Sequence, residues 1–291
     1  MHVIQNDYLK VSVDPYGAQL MSILASDGTE FLWQGDPKYW KDRSPNLFPT
    51  VSRLTDGVYQ LDGNWYEMGL HGFARHSMFD VAKAEADYLE LQLTDSPETL
   101  VNYPRKFTFT IAYKLEKNTL QILFKVENHS DKEMPFAVGG HPGFNVPLAP
   151  GKEFEDYYLR FSEPCKPETF VMAEDGKFYG ETALYPLEDD RILRLRHSLF
   201  KIDGVFLMKA AKEVTLEAEG EKHSVTVSYP DMNYVGFWHA PYPDTPYVCI
   251  EPWSSMGSTT PVRAIFEEKE DLMRLAPGKT YENHWSIRCD F

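Results

Sequence analysis

Long apolar runs are missing from this 291-residue chain: nowhere do about 18 apolar side chains follow one another, as a bilayer-crossing helix requires. Positive charge is also short. Lys and Arg total 29 against 44 Asp and Glu, a formal net charge of -15. That balance argues against nucleic acid or an anionic membrane as partner and leaves a neutral or locally neutralised ligand. Cysteine is sparse and odd in number: Cys165, Cys249 and Cys289, with no CxxC pair and no zinc spacing. The three read as reduced, buried thiols of a cytoplasmic protein. The opening residues MHVIQNDYLKVSV show no basic region followed by an apolar core, so no secretory leader is expected. Helix signals are scarce. No long amphipathic period and no alternation of strands with helices appears, which excludes a parallel α/β fold. There is no HxH, HExxH, GxSxG, P-loop or dinucleotide fingerprint, so neither metal nor cofactor is expected.

What is present is strand after strand. Hydrophobic residues make up 43% of the chain, enough for a sizeable core. Lys106–Leu115 and Thr119–Val126 alternate apolar and polar side chains around Glu116-Lys117-Asn118, the clearest hairpin in the sequence. Val58–Leu61 and Trp65–Met68 flank Asp62-Gly63-Asn64, a second hairpin signal. Tyr8–Val13, Ala18–Leu24, Glu30–Trp33, Phe79–Ala84, Tyr88–Leu93, Glu213–Ala218, Ser224–Ser228, Tyr234–Trp238, Tyr247–Ile250, Ala264–Glu267 and Trp285–Ile287 read as further strands. Ser96-Pro97-Glu98 opens one short helix, with serine as cap and proline in the first turn. Asp36–Lys41 is a second short helical candidate. With no repeat, linker or composition break, residues 1–291 are expected to form one all-β domain, a single large antiparallel β-sandwich.

Five places carry candidate chemistry. In VGGHPGFNV, residues 138–146, two glycines precede His141 and a Pro-Gly pair follows it. That arrangement puts the histidine at a strand end, at a bend. In CIEPW, Glu251 ends an apolar strand, where a proline stops the ladder and Trp253 offers a flat apolar face. A carboxylate so placed is buried, and burial is unfavourable unless the group is partnered or working. Arg53 follows the apolar run NLFPTVS. LHGFAR places His71 and Arg75 around a glycine bend, a pairing suited to an anionic or hydroxyl-rich ligand. Asp203 interrupts FKIDGVF, where an Asp-Gly turn accounts for it equally well. Each of these residues, alone, reads as readily as a turn, core or solvated group.

Together, in this order along nearly the whole chain, the segments SRL, LHGFAR, GGHPGFN, FKIDGVF and GFWH…CIEPW resemble the aldose 1-epimerase (mutarotase) family. The likeness is greatest to its bacterial, LacX-like branch. The resemblance implies the large galactose mutarotase-like β-sandwich, or supersandwich, and an isomerase of carbohydrate metabolism that needs no cofactor. It assigns His141 as general acid and Glu251 as general base. It gives Arg53, His71 and Asp203 the sugar hydroxyls. Arg75 joins the expected binding set, and the sugar is expected to lie against Trp238 or Trp253. Where family members commonly carry serine or threonine and then tyrosine after the histidine, this chain has Pro142 and Gly143. LHGFAR is also similar to a segment of hexose-6-phosphate 1-epimerases, so a sugar phosphate clamped by Arg53 and Arg75 is an alternative substrate. A non-catalytic carbohydrate-binding sandwich is a further alternative; it would not need both His141 and Glu251.

The chemistry calls for such a pair. Exchange of anomers opens the ring hemiacetal: a base takes the proton of the anomeric hydroxyl while an acid protonates the ring oxygen. The carbonyl end then rotates and the ring recloses with the roles reversed. The expected starting state has Glu251 ionised and His141 protonated, with a neighbouring carboxylate raising the histidine. A soluble sugar is the expected partner, and a monomer or homodimer the expected assembly.

Overall fold

The computed structural model describes residues 1–291. Strand accounts for 47% of the chain and helix for 7%, so the all-β expectation holds. Nearly all pairing is antiparallel. The exceptions are the short contact of Ala264–Ile265 with Val58–Leu61 and an isolated bridge between Phe48 and Gly72.

Two large sheets dominate. The first has nine strands, in the order Ile192–Arg194, Tyr157–Phe161, Glu213–Ala218, Ser224–Ser228, Thr280–Asp290, Thr119–Asn128, Phe107–Glu116, Tyr88–Thr94, Asp80–Ala84. Its centre follows the sequence pattern: Leu120, Ile122, Phe124 and Val126 are buried while the residues between them are partly or fully exposed. They pair with Ile287, Trp285, Asn283 and Tyr281. The second sheet runs Phe178–Leu184, Glu168–Met172, Val205–Met208, Tyr234–Trp238, Tyr247–Trp253, Gly139–Gly140, Asn46–Leu47, with Gly143–Asn145 also paired to Tyr247–Trp253. One contiguous cluster of 70 buried apolar residues fills the interior.

Local signals explain most elements. Asp62 and Gly63 both adopt positive φ, the twist a two-residue hairpin turn requires between Val58–Leu61 and Asn64–Glu67. Helix Pro97–Asn102 forms as expected. Ser96 Oγ accepts from Thr99 N–H, and Thr99 Oγ1 accepts from Ser96 N–H.

Three expectations fail. Asp36–Lys41 is a single turn, in which Tyr39 and Trp40 N–H both donate to the Asp36 carbonyl; no further residues extend it. Glu30–Trp33 forms only isolated bridges, from Glu30 to Leu24 and from Leu32 to Phe144. Pro252 does not stop its strand, which runs on to Trp253. The proline removes one donor, but Gly236–Glu251 and Tyr234–Trp253 hold the register on one side and Gly139–Trp253 on the other.

We propose that the chain unfolds as one unit, because Thr280–Asp290 lies in the nine-stranded sheet between the strands from residues 80–128 and those from residues 157–228 and pairs with both sets. Urea transitions followed by far-ultraviolet dichroism and by tryptophan fluorescence are expected to coincide. Two separated transitions, or limited proteolysis into two stable halves, would contradict this.

Candidate functional site

Side chains alternate along Tyr247–Trp253, so Tyr247, Cys249, Glu251 and Trp253 share one face. Val248 and Ile250, on the other face, belong to the main core. Glu251 is 1% exposed. Its cross-strand neighbour is Gly236, which carries no side chain to fill the space beside it. A Cβ on Gly236 would lie 3.4 Å from the Glu251 Cβ and 2.9 Å from the Phe206 ring.

His141 sits in the bend between Gly139–Gly140 and Gly143–Asn145, and is 7% exposed. The carbonyl of Pro142 accepts from Ile250 N–H at 3.1 Å, which ties the bend to the glutamate strand. The glycines before the histidine have distinct tasks. A Cβ on Gly139 would lie 2.7 Å from Trp253 Cδ1, and one on Gly140 2.6 Å from the Trp285 ring. Two indoles thus press on the backbone at successive residues, Trp253 on the site side and Trp285 from the nine-stranded sheet. Gly143, after the histidine, leaves room for Trp33 and Trp40, each 3.2 Å from where its Cβ would be. The outcome is that His141 Nε2 lies 3.2 Å from Glu251 Oε2. His141 Nδ1 and Glu251 Oε1 are buried with no partner in the protein.

His71 is fixed by an exchange with Ser52. Ser52 N–H donates to His71 Nδ1 at 3.0 Å, and His71 N–H donates to the Ser52 carbonyl at 3.0 Å. Both residues adopt positive φ, 57° and 65°, a conformation non-glycine residues rarely take. Because Nδ1 accepts, the ring proton of neutral His71 is on Nε2. The ring lies edge-on to His141, centroids 5.3 Å apart. Burial, together with the positive charges of its neighbours, pushes His71 well below the usual histidine range.

Arg53, His71, Arg75, His141, Asp203, Trp238, Glu251 and Trp253 all line one cavity of about 580 Å³. They do not stand alike in it. Arg75 is already engaged by Asp42 in an ion pair with little exposure on either side, so it is not a free phosphate ligand. Arg53 makes no ion pair. Asp203 accepts from Gly204 N–H and is pushed above the usual carboxylate range by burial, with Arg53 opposing. Trp253 is 2% exposed and stacks on Phe206 at 5.1 Å, so that face is covered. Trp238 is only partly buried, edge-on to His141 at 5.7 Å.

The electrostatics depart from the starting state expected above. Burial is the largest influence on both members of the pair. It pushes His141 far below the usual histidine range, and the Arg75 charge adds to this. It pushes Glu251 far up, and Asp203 adds to that, with Arg75 opposing. Desolvation disfavours both charged forms, which favours a neutral imidazole beside a protonated carboxyl over the ion pair. Folding also brings together His141, Cys249 and Glu251, with ligand-type atoms within 4.8 Å of one another, although the sequence shows no metal spacing. These donor types would suit zinc; burial raises the Cys249 thiol well above its usual range, so a metal bound there would displace that proton.

The aldose 1-epimerase profile matches residues 1–288. The chain belongs to the aldose 1-epimerase family. It is 31% identical to the chromosomal and plasmid LacX proteins of Lactococcus lactis subsp. lactis, over 98% of this chain and 97% of each relative. It superposes on a galactose mutarotase related enzyme from Lactobacillus acidophilus with a TM-score of 0.93 and 33% identity, covering 100% of this chain and 97% of that one. A galactose mutarotase-like protein from Lactobacillus casei gives 0.92 and 27%, covering 99% of both chains. A galactose 1-epimerase from Lactobacillus acidophilus shares the fold at 0.71 and 16%, covering 99% of this chain and 93% of that one.

Within this aldose 1-epimerase family site, sequence reasoning missed Trp40. Its ring lies 5.1 Å from His141 and 5.5 Å from Trp238, in the space that Pro142-Gly143 leaves clear. Nothing in QGDPKYW pointed to it, because the turn at Asp36 swings the indole over only in three dimensions. Gly140→Ala is expected to destabilise the protein by about 1–3 kcal/mol through overpacking against Trp285 and to displace His141. Chemical denaturation and activity measured on the same preparation check this; an unchanged midpoint would refute it.

Proposed function

We propose that the protein interconverts the α and β anomers of an aldohexose by general acid–base opening and closing of the sugar ring. The observation that carries this reading is the His141–Glu251 pair, 3.2 Å apart on the floor of the cavity. The two oxygens whose protonation changes, the ring oxygen and the anomeric hydroxyl, are bonded to the same carbon. A donor and an acceptor must therefore converge on adjacent atoms, as these two do.

The one-proton state supplies both roles at once. Sugar hydroxyls that donate to Glu251 favour its ionised form, because hydrogen bonds to a carboxylate stabilise the charge. The proton then rests on His141, which delivers it to the ring oxygen while Glu251 takes the anomeric proton. After rotation about C1–C2, the groups reclose the ring with reversed roles, and the pair returns to its starting proton count. His71 Nε2–H and Arg53 serve as donors to hydroxyls, and Asp203 as an acceptor or, when protonated, a donor. Trp40 and Trp238 cover the C–H surface of the ring. Since Arg75 is tied to Asp42, the sugar-phosphate alternative loses one of its two clamps.

Polarimetry on freshly dissolved α-glucose and α-galactose tests the activity; binding without acceleration would favour a carbohydrate-binding module. Glu251→Gln and His141→Asn are each expected to lower kcat by about 10²-fold or more, with binding largely kept. His71→Asn is expected to act mainly on KM. A folded Glu251→Gln protein with near wild-type kcat would end the assignment. Arg75→Ala is expected to raise KM for glucose and glucose 6-phosphate by equal factors. A selective loss for the phosphate would restore that alternative.

The pH dependence follows from the pair. On the acid side activity falls when a second proton is taken up, and the depressed His141 places that limb below the ordinary histidine value of 6.5. On the alkaline side it falls when the last proton leaves, and the raised Glu251 places that limb well above the ordinary 4.5. The expected kcat/KM profile is a bell whose acid limb lies below the ordinary histidine value and whose alkaline limb lies well above the ordinary glutamate value. An acid limb centred at roughly pH 6–7, where a solvated histidine titrates, would show that burial does not govern the pair.

A further inference from the structure

Trp40, which the mechanism above sets against the sugar ring, comes from residues 34–42, a stretch with no strand or helix. Both ends of that stretch are fastened to one residue. Trp33 N–H donates to the Gly143 carbonyl at 2.8 Å, and Gly143 N–H donates to the Arg43 carbonyl at 2.8 Å. The base of the loop is thus built on the bend that carries His141. The loop is also pinched from within: Gly35 has a φ of 73°, and a Cβ there would lie 2.7 Å from the Lys41 carbonyl oxygen.

The tip of the loop is held differently. No backbone hydrogen bond joins residues 34–42 to residues 239–246, the connection between Trp238 and the glutamate strand. Side chains make the link instead. Asp244 Oδ2 accepts from Tyr39 O–H at 2.9 Å and from the Lys38 ammonium at 2.6 Å. The Tyr39 ring lies edge-on to Tyr242, centroids 5.8 Å apart. Lys38 and Asp244 are each more than half exposed, and an exposed ion pair adds little to the stability of a fold. What this one does is local: it fixes a loop tip that no backbone bond holds. Beneath it lies a small apolar cluster, separate from the main core, that contains Trp33 and Tyr247 and against which Trp40 and Trp238 pack. Trp33 stacks on Tyr247 at 4.6 Å and donates its Nε1–H to the Trp40 carbonyl at 2.9 Å.

We infer that Asp244 is a positioning residue: by gathering Tyr39 and Lys38 onto one carboxylate oxygen, it latches the two loops together and keeps Trp40 edge-on to Trp238 at the cavity wall. The kinetic part of this inference rests on the 1-epimerase reading above. Asp244 touches neither the sugar nor the acid–base pair. It acts through Tyr39, whose neighbour in the chain is Trp40, and the latch joins residues 205 positions apart. Releasing it leaves His141 and Glu251 in place and loosens only the aromatic surface that receives the sugar. Such a change weakens binding of ground state and transition state alike, which raises KM and spares kcat.

The test measures mutarotation of α-glucose and α-galactose by the wild type, Asp244→Ala and Tyr39→Phe. Each variant is expected to raise KM about threefold, within the range an exposed pair supplies, with kcat changed less than about twofold. The denaturation midpoint is expected to stay where it is. In a Trp40→Ala background the same substitutions are expected to add nothing, because the latch then positions nothing. Unchanged KM in both variants, a fall in kcat at constant KM, or an equal rise in KM without Trp40 would each overturn the inference. A second measurement needs no turnover: with Trp40→Phe as reference, acrylamide is expected to quench Trp40 fluorescence more readily in Asp244→Ala than in the wild type. Equal quenching would overturn the latch. A wild type that accelerates neither sugar would overturn the 1-epimerase reading alone, and the quenching comparison would then decide the latch.

Discussion

A histidine and a carboxylate held in contact where water is largely excluded set the terms for the rest of this structure. His141, in a bend, and Glu251, in a strand, lie 110 positions apart in sequence, yet their side chains meet at 3.2 Å. Two fully charged groups in that position would face a desolvation penalty that their mutual attraction must offset. One proton shared between two neutral groups avoids most of it. The surroundings are consistent with that state: Arg75 opposes a proton on the histidine while Asp203 opposes charge on the glutamate. On the mechanism proposed above, arriving hydroxyl groups would stabilise charge separation within this pair.

Keeping the contact requires backbone at unusual closeness. Gly139, Gly140, Gly143 and Gly236 each lack a side chain where an indole, a phenyl ring or the glutamate itself occupies the space. Aromatic packing thus fixes the bend that carries the histidine, and that bend is hydrogen-bonded to the glutamate strand through Pro142 and Ile250. Beside His141, the positive-φ pair of Ser52 and His71 holds the His71 ring in a single tautomer. Such strained conformations persist only where the surroundings over-determine them.

The arginines show why residue type alone misleads. Arg53 and Arg75 look equivalent in sequence, each beside an apolar segment and each able to meet an anion. In the fold one is tied to Asp42 and shapes the field at the pair, while the other has no ion-pair partner. The two tryptophans expected to face a sugar divide in the same way. Trp253 is sealed beneath Phe206 and supports the floor, whereas Trp238 stays partly open beside Trp40.

The strand content was legible from the chain because alternation along Thr119–Asn128 or Glu213–Ala218 records which face is buried. The edge hairpin was not. Phe178–Leu184 is almost wholly exposed and leaves no alternating pattern to read. The motifs at His71, His141, Asp203 and Glu251 were visible because glycine, proline and a polar group interrupt apolar runs there. Their convergence in one cavity was suggested only by family resemblance, since no local rule brings residue 141 to residue 251. Three things were decided by the tertiary structure alone. The desolvation of the pair depends on what surrounds it on every side, and it works against the ion pair expected from sequence. The capture of Arg75 depends on Asp42, 33 positions away. Trp40 enters the site because a turn carries it across the gap left by Gly143. Charge and packing act through space, and a sequence records only neighbours along the chain.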